Sequence, residues 1–597
     1  MNLTPEQRDA GRRDFVEAAR GLVHGPDSQI TRRDFMKESA VAGAVAGVGL
    51  GAFYFGYETA IENPLRVGVI GTGDEGSVLL GALNPKYIEV KSIADIRPYN
   101  IHRAFHGDVY SAAALEARPG LMAKYGWKTE DEARRHVKVY GPWEDLIRNA
   151  KADGLEGVII ALPLHLHAPA SIVAMRHGLH VLTEKLMGHS IGQCKEMARV
   201  AKETKRYLVT GHQRHYNILY DNAQDQIRRG LLGDLHYIQA QWHRGNLPGT
   251  DSWQQPLPME AKPEDPLAEE LLKRLKSWQR QLDAATGTEI DNWRRKVAQV
   301  KAQIADKLLL EKDPETGKSL VEQYGYEATQ FTTSDGQYNR PALEELIRWR
   351  LWNRTGGGLM AELGSHQLDA ASIFIAAAHG GEKQKPLSVV AAANRPLFPR
   401  DRDVNDHVFC IFEFPAVGYN PKDPVDSRKK IGVQYASING NGFGGYGEIV
   451  YGTDGTLILE REKDAMLLRS ASSSRIKVQS GPALDTQASG PAQTAAKESS
   501  AGPEVSRGYR EQEEHWAWCI RQDPYNRDEN IQPRCYPKIA LGDAVIALTT
   551  NMAAKKGVRV EFKPEWFDID SDATPEEDIL GEKNAKPDVN RPEYKLT

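Results

Sequence analysis

Residues 66–83 read RVGVIGTGDEGSVLLGAL, and this stretch decides the fold of the front of the chain. Its first five residues form a β-branched run that is typical of a buried parallel strand. A GxGxxG turn and an apolar helical segment follow. Gly71 permits a tight turn, Gly73 lets a pyrophosphate approach the backbone, and Gly76 lets the helix pack closely on the strand. This order predicts an α/β fold with an N-terminal Rossmann dinucleotide-binding domain.

A second strand, Ile88 to Ile93, leads to Asp95, nineteen residues beyond Gly76. A carboxylate at this spacing accepts both ribose hydroxyls of NAD and repels a 2′-phosphate. Arg97 keeps NADP open as an alternative cofactor. The phosphates are expected at the helix N-terminus. The predicted cofactor contacts from this region are Gly71, Thr72, Gly73, Asp74, Glu75, Gly76, Asp95 and Arg97.

Composition limits the other functional classes. The chain has 597 residues, 26% of them charged, with a formal net charge of −5. It is therefore long enough for at least two domains, and it lacks the clustered positive charge of a nucleic-acid surface. The four cysteines are scattered, and none forms a CxxC pair. We expect free thiols, with a Cys519–Cys535 bridge as the alternative.

The N-terminal region contains a targeting pattern. Residues 31–37 read TRRDFMK, and an Ala/Gly-rich apolar run extends from about Ala40 to Gly56. The pattern resembles a twin-arginine (Tat) signal and predicts export to the periplasm or another extracytoplasmic location. An uncleaved membrane anchor is the alternative, although the run is short for a bilayer span.

A second βαβ unit ends in the segment HVLTEK, which places Lys185 just past the carboxyl end of a parallel strand. Such sheets bind ligands at that edge. Glu184-Lys185-Leu186 resembles the Glu-Lys-Pro hallmark of the glucose-fructose oxidoreductase, inositol dehydrogenase and MocA (Gfo/Idh/MocA) family, with Leu186 in place of proline. The resemblance implies that Glu184 and Lys185 contact the cofactor and that Lys185 is catalytic.

Residues 352–374, WNRTGGGLMAELGSHQLDAASIF, are similar to the second signature of the same family, a glycine run followed by D-x-G-x-H-x-x-D. His366 matches the catalytic histidine, Asp369 matches the trailing acid, and Glu362 stands where the family has aspartate. Helical spacing predicts that these three side chains share one face of a helix and one pocket.

The residue types fit the oxidation of a secondary alcohol. Histidine removes the hydroxyl proton, a lysine ammonium stabilises the developing alkoxide, and the cofactor carries the redox change. The resemblance implies an NAD(P)-dependent dehydrogenase for a sugar, polyol or sugar derivative. Two alternatives stay open. One is a redox-neutral, NAD-dependent glycoside hydrolase or lyase that oxidises the sugar transiently. The other is a non-catalytic carbohydrate-binding protein.

Two loops carry further candidate residues. The resemblance implies that Pro163 and His167 line the cofactor, and we expect no metal at His165 and His167 because a third ligand is missing. The segment GHQRHYN resembles a post-strand loop of the family. It implies that Gln213, Arg214 and Tyr216 contact the substrate.

The remaining sequence suggests the domain plan. Strand-like runs at 387–393, 407–414, 431–438 and 446–459 fit an α/β domain with an open, mainly antiparallel sheet, which has one face free for a partner copy or the substrate. We expect a homo-oligomer. Residues 256–340 form an insertion with a helical hairpin that caps the active site, serves a subunit contact or is simply solvated. The predicted plan is a 1–64 extension and signal, a 65–190 Rossmann domain, a 191–565 substrate domain with a flexible loop at 470–505, and a 566–597 tail.

Overall fold

A computed structural model of the chain describes residues 3, 5–24, 50–58, 60–334, 336–469, 476–477 and 507–596. The twin-arginine stretch, most of the apolar run after it, and the predicted 470–505 loop apart from residues 476–477 lie outside the described residues. Within the described parts of the chain, no helix combines the length and the apolar character needed to cross a membrane.

The first sheet has six parallel strands in the spatial order β3-β2-β1-β4-β5-β6, which is the Rossmann order. Its strands are β1 Leu65–Ile70, β2 Ile88–Ala94, β3 Lys138–Tyr140, β4 Gly157–Ile160, β5 His180–Thr183 and β6 Leu208–Thr210. Because β6 joins this sheet, the Rossmann unit extends past residue 190, the boundary expected from the sequence.

The register of this sheet brings the predicted site residues to one edge. Ile70 lies opposite both Ala94 and Ile160, and Ile160 lies opposite Thr183. The loops that follow these strands therefore start side by side. They carry the glycine turn, Asp95, Pro163 and Lys185.

The second sheet has nine strands in the order β16-β15-β14-β13-β7-β12-β11-β10-β17. Only its β7–β12 pair is parallel among the pairs described, so the sheet is mixed and mainly antiparallel. Its strands are β7 Leu235–His243, β10 Ser388–Asn394, β11 His407–Pro415, β12 Lys430–Ile438, β13 Tyr446–Gly452, β14 Gly455–Glu460, β15 Asp464–Arg469, β16 Ile476–Lys477 and β17 Val560–Glu561. The run 446–459, expected as one strand, is a hairpin, because the chain reverses between β13 and β14.

Helices pack on both sheets. Those of the Rossmann unit are Asp74–Ala82, Pro98–His106, Ala112–Ala117, Gly120–Tyr125, Glu130–His136, Trp143–Asn149, His167–Arg176 and Ile191–Thr204. Further helices are Pro5–His24, Leu50–Phe55, Ile218–Arg228, Ala342–Ile347, Asn353–Gly356, Ser365–Ala378, Tyr509–Gln522 and Pro537–Lys556. The last of these packs between the helix Ile191–Thr204, the helix Ser365–Ala378 and β10, and so joins the two sheets into one core.

The insertion contains the predicted helical hairpin, Glu270–Ala284 and Glu289–Ala305. It continues through the short helix Leu320–Gln323 and a small two-stranded sheet, β8 Thr329–Thr333 with β9 Gly336–Arg340. The hairpin is not a free solvated element, because its second helix packs on the Rossmann helix Pro98–His106. All four cysteines are buried free thiols.

Candidate active site

The glycine turn is shaped by close backbone approach. Gly71 has φ +82°, and a Cβ added there would lie 2.5 Å from the carbonyl oxygen of Ala161. A Cβ on Gly76 would lie 2.0 Å from the carbonyl oxygen of Gly71. Neither position tolerates a side chain without a shift of the backbone. The helix Asp74–Ala82 begins immediately after Gly73, so its free N–H groups face the space above the turn.

One cavity of about 500 Å³ runs from this turn to Lys185 and Glu362. Its volume is in the range of ordinary cofactor and ligand sites. The predicted cofactor residues line it except for Thr72 and Gly76: the lining includes Gly71, Gly73, Asp74, Glu75, Asp95, Arg97, Pro163, His167, Glu184 and Lys185.

Asp95 is held by backbone and side-chain donors. Its carboxylate accepts hydrogen bonds from the N–H of Thr72 at 2.8 Å and of Arg97 at 2.9 Å. Asn100 Nδ2 donates a third at 3.1 Å. The Arg97 side chain turns away to the buried Asp306 of the insertion, with Nε 2.9 Å from Oδ2. The acid expected to select NAD is therefore fixed in place, while the arginine that would favour NADP pairs with Asp306.

Two acids of the glycine turn would repel a pyrophosphate if both were charged and unpaired. Asp74 Oδ1 instead accepts a hydrogen bond from the buried guanidinium of Arg103 at 2.6 Å. Burial raises the pKa of Glu75, although the nearby ammonium of Lys185 opposes the shift. The turn is thus compatible with an anionic ligand.

Lys185 is anchored at the other end of the cavity. Its Nζ donates to the backbone carbonyl of Glu362 at 2.7 Å and lies 3.8 Å from Glu362 Oε2. Arg350 Nε donates to the other carboxylate oxygen at 2.6 Å. Burial acts to raise the pKa of Glu362, but Lys185 and Arg350 together lower it to about 2. Glu362 is thus a charged residue that positions the lysine.

Glu184 precedes this lysine and is also buried. Burial and the neighbouring Glu75 raise the pKa of Glu184 to about 8. The peptide bond between Lys185 and Leu186 is cis.

His366 lies beside Lys185 but does not line the cavity. Its ring packs against Trp242 at a centroid distance of 5.4 Å and against His212 at 6.4 Å. Burial, reinforced by the Lys185 ammonium, lowers the pKa of His366 well below its usual value. The imidazole is therefore neutral in this environment.

The expected regular helix over residues 362–369 is wrong. Met360–Gly364 is a π-helical turn, and the α-helix Ser365–Ala378 starts only after it. An i→i+5 turn rotates the residues before it relative to those after it. Glu362 consequently faces Lys185. Asp369 faces another cluster, where its Oδ1 lies 2.8 Å from His215 Nε2.

His167 connects two of the loops at the sheet edge. Its Nδ1 lies 2.8 Å from the carbonyl oxygen of Leu186, and its Nε2 lies 2.8 Å from that of Leu162. Both ring nitrogens thus face backbone oxygens. The residue ties the loop after β4 to the loop that carries Lys185.

The three predicted substrate residues lie outside the cavity. Gln213 Nε2 donates to the Tyr509 hydroxyl at 3.4 Å. Arg214 is buried in an ion-pair network with Glu462 and Glu448, at 2.9 and 3.4 Å. The Tyr216 hydroxyl lies 2.7 Å from His515 Nδ1 and accepts a hydrogen bond from the N–H of Arg534 at 2.8 Å. These contacts stabilise the fold around the site.

Sequence reasoning missed residues that the fold brings to the cavity. Arg350 lies two residues before the glycine signature of residues 352–374, and no pattern in the sequence distinguishes it from the neighbouring arginines Arg348 and Arg354. The insertion contributes Gln323, Tyr324, Gly325 and Tyr326 to the cavity wall. Tyr326 is 3% exposed and meets His165 edge-on, with ring centroids 5.7 Å apart. The insertion therefore closes the cavity beside Asp95.

A family match agrees with the strand order of the first sheet. It also agrees with the glycine turn and Asp95, which line one cavity. Residues 65–212 match the Gfo/Idh/MocA model, described as "Oxidoreductase family, NAD-binding Rossmann fold". The match and the sheet topology confirm the predicted fold class. They also confirm NAD as the cofactor of this domain.

Among curated proteins, the chain is 30% identical over 181 residues to a "Glycosyl hydrolase family 109 protein" of Stenotrophomonas maltophilia, covering 30% of this chain and 35% of that protein. It is 28% identical over 181 residues to "Inositol 2-dehydrogenase" of Corynebacterium glutamicum, covering 30% and 46%. The chain thus spans less than half of the length of these two relatives.

A solved structure extends the likeness to the fold of both sheets. The inositol dehydrogenase homolog of Azotobacter vinelandii, complexed with NAD+, covers 84% of this chain and 98% of its own, with 13% identity and a TM-score of 0.51.

Proposed function

We propose that this chain is an NAD-dependent oxidoreductase that removes hydride from a secondary alcohol of a sugar, polyol or sugar derivative. The observation that carries the proposal is the single cavity with the glycine turn and Asp95 at one end and the Lys185–Glu362 pair at the other. When bound, NAD supplies the hydride acceptor.

The residues at the reactive end fit the proton and charge changes of this reaction. The Lys185 ammonium has a proton to donate to a substrate oxygen, where it stabilises the developing alkoxide. Glu362 and Arg350 hold that lysine in place. The neutral imidazole of His366, which lies behind Lys185, is the proposed final acceptor of the hydroxyl proton, which would reach it through the lysine. The carbonyl of Glu362 is the oxygen that a substrate hydroxyl would displace from Lys185 Nζ.

A redox-neutral glycoside hydrolase or lyase is the second candidate. It is favoured by the relative named as a family 109 glycosyl hydrolase, and by the insertion that closes the cavity beside Asp95. An enclosed cofactor that is reduced and reoxidised within one catalytic cycle needs no exchange with solvent.

Two measurements on the full chain separate these candidates. Mass spectrometry of the small molecules released from native protein should identify NAD. The protein is then mixed with a panel of sugars, polyols and aryl glycosides. Accumulation of reduced nicotinamide absorbance supports a dehydrogenase, whereas glycoside cleavage without it supports the redox-neutral reaction. Absence of a bound dinucleotide and of binding to added NAD would contradict both.

We also propose that the chain is exported by the Tat route. The proposal rests on Arg32 and Arg33 in the TRRDFMK stretch and the apolar run after them. Replacing both arginines by lysine should retain the protein in the cytoplasm of the producing cell, as followed by fractionation. Replacing Arg12 and Arg13 by lysine is the matched control. Unchanged export of the first variant would contradict the proposal.

A further inference from the structure

A second cluster of polar side chains lies behind His366 and is not used by the proposed reaction. Four segments of the chain contribute to it: His212 and His215 follow β6, Asp369 lies on the helix Ser365–Ala378, Lys383 follows that helix, and Cys535 and Asp543 flank the start of the helix Pro537–Lys556. Every member except His215 and Lys383 is at most 3% exposed. Together they form what we call the His212 cluster.

The donor atoms of this cluster converge. One ligand atom each from His212, Cys535 and Asp543 lie within 4.8 Å of one another, and so do those of His215, Asp369 and Asp543. His212 Nδ1 is 3.6 Å from Asp369 Oδ2, too long for a hydrogen bond. The two sets share Asp543, which therefore connects two neighbouring groups of three donors.

Some of these donors have no partner among the described residues. Both ring nitrogens of His212 are buried without a hydrogen bond, and Oδ2 of Asp369 and Oδ2 of Asp543 receive none from any described group other than each other's carboxyl. Leaving a buried polar atom unpaired costs about 1–3 kcal/mol, and native structures rarely leave so many in one place. These unsatisfied nitrogen and oxygen atoms lie within the cluster, where a bound ion would satisfy them.

The charges of the cluster are compatible with a bound cation. The Lys383 ammonium contacts Asp543 and lies 3.9 Å from Asp369 Oδ1. A divalent cation that displaced the proton of Cys535 would fit this balance, because its two charges and that of Lys383 would be matched by the thiolate and the two carboxylates. Buried charges are tolerated when they are balanced in this way or coordinate a metal.

We propose that the His212 cluster binds one divalent transition-metal ion of the zinc class, with His212, Cys535 and Asp543 as ligands and Asp369 or His215 completing the set. Imidazole nitrogen, thiolate sulfur and carboxylate oxygen are the ligands that zinc takes in proteins. Binding replaces the Cys535 S–H bond by a sulfur–metal bond, and the proton is released to solvent. Lys383 stays hydrogen-bonded to Asp543.

The proposed ion is a structural one. It would tie the loop that carries His212 and His215 to the helix Ser365–Ala378 and to the helix Pro537–Lys556. These segments are separated by more than 150 residues in the sequence, and His366 lies one turn before Asp369. The metal would thus stabilise the segments that surround His366, and it would not touch the cavity. The metal proposal can therefore be tested independently of the redox assignment.

The test uses the full-length, untagged protein. Metal content is measured by inductively coupled plasma mass spectrometry, and the chelated protein is then reloaded with Co²⁺. We expect about one metal ion per chain and a near-ultraviolet cobalt–thiolate band. Cys535→Ser should remove the band, and Asp543→Asn should weaken binding by at least about tenfold. Cys410→Ser, which alters a buried thiol on β11, is the matched control and should keep the band.

A band that survives Cys535→Ser, or native protein with neither zinc nor cobalt affinity, would overturn the proposal. In that case the cluster is a hydrogen-bonded network balanced by Lys383 and a proton. Should a variant fail to fold by circular dichroism, the metal content and the cobalt spectrum of the unaltered chain still decide the question.

Discussion

At the scale of single residues, the site depends on how buried charges are paired. Lys185 has Glu362 as its counterion, Asp74 has Arg103, and Arg97 has Asp306. Removing one member of such a pair leaves the other charge buried and unpaired, which is more harmful than removing both. Substitutions here therefore need readouts that separate folding from function.

Lys185→Met tests the reactive residue. We expect the rate of cofactor reduction by substrate to fall by about two to four orders of magnitude, because the general acid–base and alkoxide-stabilising group is lost. The bound NAD content, measured after gel filtration, should remain. Lys202→Met, at a lysine whose side chain is 74% exposed, is the control. An unchanged rate in the first variant would remove Lys185 from the mechanism.

Glu156 tests the contribution of an ion pair to pH stability. Its carboxylate accepts hydrogen bonds from Arg521 at 2.7 Å and from the N–H of Arg66 at 3.1 Å. Burial opposes the shift, but these donors lower the pKa of Glu156 to about 2. A depressed folded-state pKa stabilises the protein above the unfolded pKa, and this contribution is lost as the pH falls from about 4.5 toward 2.

Glu156→Gln should accordingly lower the free energy of unfolding by about 1–2 kcal/mol at neutral pH, after allowance for solvent screening. The difference from the unaltered protein should shrink as the pH is lowered through that window. Thermal denaturation at several pH values measures it, with the exposed Glu203→Gln as control. A difference that is the same at all pH values would contradict the ion-pair explanation.

At the scale of elements, the insertion forms one wall of the site. Its hairpin docks on the helix Pro98–His106, Asp306 holds Arg97, and Tyr326 forms part of the cavity wall near Asp95. The sequence predicted the two helices but not whether they cap the active site, form a subunit contact or are simply solvated. The observed contacts favour a capping role over a solvated hairpin.

Tyr326→Ala should accelerate the release of NAD. Loss of the buried ring opens the wall beside Asp95, and we expect the dissociation rate to rise about tenfold, equivalent to about 1.4 kcal/mol. Stopped-flow fluorescence with an excess of competing nucleotide measures this rate. Tyr338→Ala is the control, because Tyr338 belongs to the same insertion but packs on Phe331 and not on the cavity. Equal release rates in both variants would exclude the capping role.

At the scale of the whole molecule, the mixed sheet leaves an apolar patch in solvent. Val390, Phe409 and Ile411 are 49%, 41% and 58% exposed, and Val390 lies directly opposite Ile411 on the neighbouring strand. Contiguous exposed apolar side chains of this kind mark interaction surfaces. Because a flat sheet face can pair with its own copy about a twofold axis, we propose a second copy of this chain as the partner.

Ile411→Lys should therefore reduce the molar mass measured by light scattering to that of a single chain, while the melting temperature of the protomer changes little. Val425→Lys, at an apolar residue outside the sheet that is 70% exposed, is the control. An unaltered protein that is already a single chain at micromolar concentration would contradict the proposed interface.

The sequence by itself determined the features that depend on local geometry. The glycine turn, the strands and helices around it, Asp95 and the position of Lys185 after a parallel strand could be predicted, because strand and helix periodicities and the need for glycine at close backbone contacts act over short stretches. The parallel order of the strands then brings their carboxyl ends to one edge of the first sheet.

Only the tertiary structure decided the rest. The π-helical turn separates Glu362 from Asp369, Arg214 enters a buried ion network, and Tyr326 reaches the cavity from the insertion. The His212 cluster likewise joins residues more than 300 positions apart. These outcomes depend on which buried charges and rings meet across distant segments, and the energies of such contacts are set by burial and by partners that no local pattern specifies.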